Sequence, residues 1–330
     1  MKRFVMIFFL LSFFTVSSQN IFDYEKKIDP NCNYIHTEIN FKNLEDKINL
    51  SGTLIEPKAE YKKIIVIVPG TGKDTRHAHF VMAEKFLQNN IAVYRFDERG
   101  IGKSEGAFST FASTLTDDLY YCITYLKDKF KSKTIGILGH SLGGIASIGA
   151  YKKNKNIDFL VQMATPVEKE GAFFKYQAKQ NISSFYRIKG KSQDEVIDLL
   201  NLFYPIIIEN DDFKTIRKKA KKVAKENGFN KGFYQFISPA HIDHVKQNHE
   251  QTYKNIKIPL LYIIGSNDKL VNPKTEIALI KSFKNSNIQI KLIDGLNHYL
   301  TTGEYKSLYQ IDDTAFNEIL KFILINNTSN

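Results

Sequence analysis

The residues with the clearest chemical potential are Gly139-His140-Ser141-Leu142-Gly143, which fit the pattern Gly-x-Ser-x-Gly. In this pattern the serine lies on a sharp turn between a strand and a helix, so that its hydroxyl is exposed as a nucleophile. Small flanking residues let other backbone pass close to the turn, and the first N–H groups of the helix point at a developing oxyanion. Gly139, His140 and Gly143 therefore form the predicted frame of a nucleophilic Ser141. The alternative is a glycine-rich turn without chemistry.

A serine nucleophile needs a base, which is usually a histidine oriented by an acidic residue. After a turn of this kind the acidic residue comes next along the chain and the histidine comes last. Of the eight histidines, His298 is the one that follows the last predicted core strand, in the segment 294–298. The loop should bring its imidazole to the carboxyl edge of the sheet, beside Ser141. The alternative is a histidine on a surface loop.

Two carboxylates, Asp268 and Asp294, follow predicted core strands closely enough to serve as the acid. Asp294 leaves the same strand as His298 and should cap the turn of that loop. Asp268 ends the segment Gly265-Ser266-Asn267-Asp268 after the neighbouring strand, so it can approach Nδ1 of His298 from outside the loop. Nε2 would then face Ser141, as proton transfer requires. We therefore predict a triad of Ser141, His298 and Asp268, although aspartates also occur as simple turn residues.

The elements that must position these residues alternate between strands and helices. Apolar, β-branched runs predict strands at 34–40, 48–55, 64–68, 91–96, 134–138, 157–163, 258–264 and 288–293. Helical periodicity predicts helices at 78–88, 115–129, 142–151, 275–283 and 314–325. Continuous apolar strands separated by helices indicate an α/β fold with a mostly parallel sheet covered by helices on both faces.

One stretch, residues 166–252, departs from this alternation. It is rich in Lys, Gln, Asn and aromatic residues, and its periodicity is helical. Ser192 and Glu195 form a possible capping box that opens a helix at 196–203. We interpret the stretch as a helical cap inserted between the two parts of an α/β core, 19–165 and 253–330. Its Tyr and Phe side chains should line the pocket for the acyl group.

The N-terminus has the features of a signal peptide. Lys2 and Arg3 precede an apolar run at 4–14, and small residues follow at 16–18. Cleavage after Ser18 would export the chain to the periplasm or the medium; the alternative is an uncleaved anchor. No other stretch is long and apolar enough to cross a membrane, so we expect no stable membrane insertion after cleavage.

Composition excludes several classes of protein. The chain has 330 residues, of which 43% are apolar and 25% charged, values typical of a globular protein rather than a disordered or fibrous one. The net charge is +11, but the lysines are spread along the chain, so we expect no nucleic-acid partner. Cys122 lies on an apolar helical stripe and should be a buried free thiol rather than a partner of Cys32.

No metal or cofactor is expected. His77 with His79, and His241 with His244 and His249, offer pairs of imidazoles, but no third ligand is evident, and polar histidines of the cap are the simpler interpretation. The segment Gly100-Ile101-Gly102 lacks the third glycine of a dinucleotide-binding loop.

Further segments match a known family: Ser51-Gly52-Thr53-Leu54, Pro69-Gly70-Thr71-Gly72, the run 97–104, the Gly-His-Ser-Leu-Gly-Gly turn at 139–144, Gly265 to Asp268, and Asn297-His298. With them the chain resembles the α/β-hydrolase superfamily, most of all its exported bacterial esterase and lipase-like branch, near the monoacylglycerol lipases and the serine-aminopeptidase-like hydrolases. The resemblance covers most of 48–164 and 253–325 but not the cap.

This resemblance implies the two donors of an oxyanion hole. They are the backbone N–H groups of Thr71, which follows the strand-end Gly70, and of Leu142. The chain has Pro69-Gly70 where the family commonly has His-Gly, so any role of that histidine is absent, whereas the backbone donor is unaffected.

The favoured function is hydrolysis of carboxylic esters through an acyl-enzyme. The same triad would serve a peptidase acting on short peptides, and an aminopeptidase would need carboxylates that bind a terminal ammonium. The cap offers such groups at Glu168 with Glu170 and at 209–212. A third possibility is a binding protein without activity, against which the complete triad argues. The expected partner is thus a small ester or a short peptide, and the oligomeric state stays open.

Overall fold

The structure, a computed structural model, describes residues 28, 34–181, 183–303 and 310–326. The predicted signal peptide and Cys32 lie outside the described residues. Cys122 is a buried free thiol, as predicted.

The described residues contain eight strands in one sheet, in the spatial order β1-β2-β4-β3-β5-β6-β7-β8. Their bounds are Tyr34–Asn43 (β1), Ile48–Pro57 (β2), Lys63–Val68 (β3), Ala92–Phe96 (β4), Thr134–His140 (β5), Phe159–Met163 (β6), Leu260–Gly265 (β7) and Ile288–Ile293 (β8). In this spatial order, every pairing from β4 to β8 is parallel. Strand β2 pairs in antiparallel fashion with both of its neighbours, β1 and β4. The connection between β1 and β2 is too short for the crossover that parallel pairing requires. The predicted mostly parallel α/β sheet is therefore confirmed.

Ten α-helices accompany these strands within the described residues. They are Phe80–Gln88 (α1), Ala112–Lys129 (α2), Leu142–Lys153 (α3), Ala172–Gln180 (α4), Gln193–Ile208 (α5), Phe213–Glu226 (α6), Pro239–Lys246 (α7), Glu250–Lys254 (α8), Pro273–Ser282 (α9) and Asp313–Ile325 (α10).

The inner strands of the sheet are buried on both faces because their side chains alternate between two apolar layers. Along β3, Ile64 and Val66 belong to the cluster that contains α2 and α3 side chains, whereas Ile65 and Ile67 belong to the cluster that contains α1 and α10 side chains. All six residues of β3 are buried. The apolar runs that form the inner strands are thus covered on both sides, as expected for a parallel sheet, whereas the edge strands β1 and β8 are partly exposed.

Helices α4 to α8 lie between β6 and β7, in the segment predicted to be the cap. The capping box of Ser192 and Glu195 is confirmed, but α5 continues past the predicted end to Ile208 and contains Pro205. The buried apolar side chains of α5 and α6, with others from α4, α7 and the segments between them, form a cluster separate from the two that cover the sheet. Tyr253 of α8 instead packs in the main core, so the predicted cap end at 252 falls within a helix of the core.

No helix among the described residues is long and apolar enough to span a membrane.

Candidate active site

Ser141 lies between the end of β5 and the start of α3, with φ 53° and ψ −114°. A positive φ is rare for a residue with a side chain and costs conformational energy. Its backbone N–H donates to the carbonyl oxygen of Met163 on β6, at 2.9 Å, which holds the turn against the sheet. The strained turn predicted from Gly-x-Ser-x-Gly is present, and it presents Ser141 at the carboxyl edge of the sheet.

The flanking glycines are required by close backbone approach. A Cβ at Gly143 would lie 2.3 Å from the carbonyl oxygen of Val68, and a Cβ at Gly139 would lie 2.4 Å from the carbonyl oxygen of Gly143. Any larger residue would push the end of β3 away from the turn. The glycines therefore hold the β3 loop, with Gly70 and Thr71, next to Ser141.

His298 and Asp268 form a hydrogen-bonded pair. Nδ1 of His298 donates to one carboxylate oxygen of Asp268 at 2.8 Å, and the Asp268 side chain is fully buried. The other carboxylate oxygen accepts from the backbone N–H groups of Leu270 and Val271, at 2.7 and 2.9 Å. The loops after β7 and β8 thus bring the two residues together as the sequence predicts. Asp294 instead accepts from the hydroxyl of Ser266, at 2.9 Å.

His140 connects the turn at Ser141 to the loop after β8 that contains His298, here called the histidine loop. Its Nε2 donates to the carbonyl oxygen of His298 at 3.2 Å, and its ring lies between the rings of His79 and His298, with centroids 5.2 and 4.9 Å away. Burial lowers the pKa of His140 well below its usual value, and the neighbouring His298 and His79 lower it further. His140 is therefore a neutral donor that fixes the backbone of the histidine loop.

Thr71 and Leu142 border the same cavity as Ser141 and His298. Leu142 is the first residue of α3, where backbone N–H groups have no partner within the helix. The helix dipole adds positive potential at this end. The two residues that the sequence predicts as oxyanion donors therefore border the cavity that contains Ser141.

The cavity above Ser141 has a volume of about 420 Å³. From the hydrolase core it is lined by Gly70, Thr71, Ser141, Leu142, His298 and Tyr299, among others. From the cap it is lined chiefly by Phe173, Phe174, Phe185, Tyr186, His241 and His244. Aromatic cap side chains line the cavity, as predicted.

Formal charge is absent from this lining: among the described residues, no Asp, Glu, Lys or Arg borders the cavity. The carboxylates considered for an ammonium site lie elsewhere. Asp211 pairs with Lys246 at 2.8 Å, and Asp212 accepts from the N–H of Thr215 at the start of α6. Glu168 accepts from the hydroxyl of Thr275.

His241 and His244 of the cap line the cavity. The sequence indicates polar residues of the cap at these positions and does not predict that they line it. His241 is stacked on Phe174, with ring centroids 4.2 Å apart, and His244 donates from Nε2 to the carbonyl oxygen of Thr110 at 2.9 Å. Burial, and to a smaller extent His244, lower the pKa of His241 to about 3. In the sequence, the i, i+3 spacing of His241 and His244 was the feature that indicated two imidazoles on one face of a helix. Within the described part of the chain, no group of three His, Cys, Asp or Glu is arranged to hold a metal.

Helix α4 of the cap contacts the loop after β7, which contains Asp268. The hydroxyl of Tyr176 donates to the carbonyl oxygen of Asp268 at 3.0 Å, and the side-chain amide of Gln177 donates to that of Leu270, also at 3.0 Å. The sequence held no signal for these contacts, since they join segments about ninety residues apart. They couple the position of the cap to the loop that orients His298.

The sequence from 59 to 304, well over half of the chain, matches the profile of a family described as serine aminopeptidase, S33. The chain belongs to this family of hydrolases. The predicted membership of the α/β-hydrolase superfamily is thereby confirmed, and with it a serine hydrolase as the general class of protein. A comparison with curated proteins found no match.

Similar solved structures support the same fold. The esterase Pf2001 of Pyrococcus furiosus has a TM-score of 0.60 at 18% identity, covering 91% of this chain and 94% of its own. The α/β hydrolase GrgF from Penicillium sp. sh18 has a TM-score of 0.58 at 15% identity, covering 88% and 99%. Est1E from Butyrivibrio proteoclasticus, solved with ferulic acid, has 0.54 at 19%, covering 87% and 99%. At these identities the likeness concerns the fold alone.

Proposed function

We propose that the protein hydrolyses carboxylic esters with Ser141 as nucleophile, His298 as base and Asp268 as the acid that orients it. The observation that carries the proposal is the pairing of His298 Nδ1 with Asp268 at 2.8 Å, next to a serine held at a positive φ over the same cavity. A buried carboxylate on Nδ1 fixes the tautomer that leaves Nε2 free to accept a proton.

In the acylation step, Ser141 Oγ attacks the ester carbonyl carbon while Nε2 of His298 takes the hydroxyl proton. The N–H groups of Thr71 and Leu142 stabilise the negative oxygen of the tetrahedral intermediate. Nε2 then gives its proton to the departing alcohol, which leaves the acyl group on Ser141.

In the deacylation step, water attacks the acyl carbon and loses a proton to Nε2 of His298. Collapse of the second intermediate releases the acid, and the proton returns to Ser141. Asp268 does not change its protonation state, since its role is to orient the ring and stabilise the imidazolium.

An aminopeptidase is the second candidate, because the family is described by that activity. Such an enzyme holds the terminal ammonium of its substrate, and an ammonium taken out of water without a counter-charge carries a large desolvation cost. No carboxylate among the described residues borders the cavity. The cavity chemistry therefore supports a neutral ester over an aminoacyl substrate.

The two candidates are separated by a panel of neutral p-nitrophenyl acyl esters run beside aminoacyl p-nitroanilides with free amino groups. We expect turnover of the esters, and kcat/KM for the anilides at the level of the Ser141→Ala variant. Faster hydrolysis of the anilides than of the esters would favour the peptidase. Absence of both activities in a folded protein would favour a binding protein.

We also propose that the chain is exported after cleavage behind Ser18. The support is the basic, apolar and small-residue order of the first 18 residues. The N-terminal sequence of protein recovered from the periplasm or the medium should begin at Gln19. Recovery from the membrane fraction with Met1 retained would instead indicate an uncleaved anchor.

A further inference from the structure

Two neighbouring side chains of cap helix α4, Tyr176 and Gln177, hold the loop that carries the proposed acid of the triad. We propose that both are positioning residues for the reaction and act through Asp268 rather than through contact with the substrate. The cap is then needed for the chemical step itself, in addition to lining the pocket. This inference rests on the proposed ester hydrolase and adds a role for α4 in it.

The acid loop, residues 268–271, closes on the carboxylate of its own first residue. The backbone N–H groups of Leu270 and Val271 donate to one oxygen of Asp268, at 2.7 and 2.9 Å. The other oxygen accepts from Nδ1 of His298 at 2.8 Å. The direction in which the carboxylate meets the imidazole therefore depends on where the peptide groups of this short loop lie.

Gln177 holds one of these peptide groups from its other side. Its side-chain amide donates to the carbonyl oxygen of Leu270 at 3.0 Å, and this oxygen belongs to the same peptide group as the N–H of Val271. Since a peptide group is planar, a bond that fixes its oxygen also fixes the direction of its N–H. Hydrogen bonds in such a chain polarise one another, so the first strengthens the second. A continuous path of hydrogen bonds thus leads from Gln177 to the carboxylate of Asp268.

The orientation of the Gln177 amide is determined by its two partners. The carbonyl oxygen of Leu270 can only accept, so the N–H groups of the amide must face it. The amide oxygen accepts from the hydroxyl of Tyr186 at 2.7 Å. Burial raises the pKa of Tyr186 above its ordinary value, so this hydroxyl keeps its hydrogen. Both ends of the amide are therefore engaged, which holds the side chain in one orientation.

Tyr176 supports another peptide group of the acid loop. Its hydroxyl donates to the carbonyl oxygen of Asp268 at 3.0 Å, which fixes the backbone from which the carboxylate projects. Burial, and to a smaller extent the charge of Asp268, raise the pKa of Tyr176, so the hydroxyl stays protonated. Tyr176 lies outside the lining of the cavity, so its effect on the reaction has to pass through the loop.

Two other roles for these residues must be separated from positioning. Gln177 borders the cavity, so its replacement could alter the fit of an acyl group. Loss of either bond could also loosen the cap as a whole. A substrate with a short acyl group reduces the first effect. A loss in kcat that disappears when the Asp268 carboxylate is removed is expected of neither, because it requires that the residue act through that carboxylate.

The test is a double-mutant cycle on the hydrolysis of p-nitrophenyl acetate. Gln177→Met keeps the length of the side chain but cannot donate, and Tyr176→Phe removes only a hydroxyl. We expect each substitution to lower kcat about three- to tenfold, the effect of one lost hydrogen bond, with a smaller change in KM. In the Asp268→Ala background the same substitutions should have no further effect on kcat, because residues that act through one group are not additive.

Lys175→Met is the matched control on α4. It removes a hydrogen bond to Asn201 within the cap, at 3.3 Å, and should keep the wild-type kcat. A loss in this variant as large as in Gln177→Met and Tyr176→Phe would mean that the cap is loosened in general, and would overturn the positioning role. Folding of every variant is checked by circular dichroism.

The remaining outcomes separate this inference from the proposed hydrolase. Wild-type kcat in Gln177→Met or Tyr176→Phe, or equal losses with and without the Asp268 carboxylate, would overturn the positioning role of that residue and leave the hydrolase standing. Wild-type protein that neither hydrolyses the ester nor reacts with a fluorophosphonate would overturn the hydrolase. Should Gln177→Met fail to fold, the cycle with Tyr176→Phe decides.

Discussion

Asp268 holds His298 from a different loop, through a carboxylate that is satisfied on both oxygens. One oxygen accepts from Nδ1 of His298 at 2.8 Å, and the other accepts from two backbone N–H groups of its own loop. These backbone bonds fix the carboxylate before any substrate arrives. Asp294, on the histidine loop itself, is engaged with Ser266 instead.

Replacement of the acid should therefore remove most of the activity. Asp268→Asn should lower kcat about 10⁴-fold, because the amide no longer favours the tautomer with Nε2 free. The matched control Asp294→Asn should change kcat far less. Both are measured with one neutral ester on purified protein whose folding is checked by circular dichroism. The reverse order of the two losses would place the acid at Asp294.

His140 should act as a positioning residue through its bond to the carbonyl oxygen of His298. His140→Phe removes this donor and should lower kcat about 10- to 100-fold with a smaller change in KM, since small displacements of a catalytic group are costly. His140→Gln keeps an N–H donor and should recover part of kcat. Equal kcat values for both variants would show that the hydrogen bond does not position the histidine loop.

Glu276 should make stability depend on pH. Its side chain is buried on α9 and accepts from the N–H groups of Val167 and Glu168, at 2.9 and 3.0 Å. Burial, with a smaller contribution from Glu168, raises the pKa of Glu276 well above its ordinary 4.5. The folded state thus keeps a proton that the unfolded state loses, so this contribution is fully present below pH 4.5 and is lost as the pH rises through the folded pKa.

Glu276→Gln removes that titration and keeps an oxygen for the two N–H groups. The free energy of unfolding of the variant should rise relative to wild type between pH 4.5 and 7, by at most about 1.4 kcal/mol per pH unit. Urea unfolding at both ends of this range measures the difference. A difference that does not change with pH would mean that Glu276 is ionised in the folded protein.

Local chemistry made much of the fold and site predictable. The apolar runs at the centre of the chain's sheet form buried strands, and the serine turn is fixed by glycines whose neighbours leave no space for a Cβ. The pairing of Asp268 with His298 was predictable from the topology, because the carboxyl ends of neighbouring parallel strands lie at the same edge of the sheet. The cavity walls were not predictable. His241 and His244 face the cavity because α7 packs near Phe174, a residue far away in the chain. The continuation of α5 through Pro205 likewise depends on burial in the cap.

The most direct test of the account is covalent labelling of the nucleophile. Folded wild-type protein treated with a fluorophosphonate should carry the adduct on the peptide that contains Ser141, as identified by mass spectrometry. Ser141→Ala should lose the label, and its kcat for a neutral ester should fall about 10⁴- to 10⁶-fold. Labelling of Ser141→Ala equal to wild type, or an adduct on another serine, would contradict the assignment of Ser141 as the nucleophile.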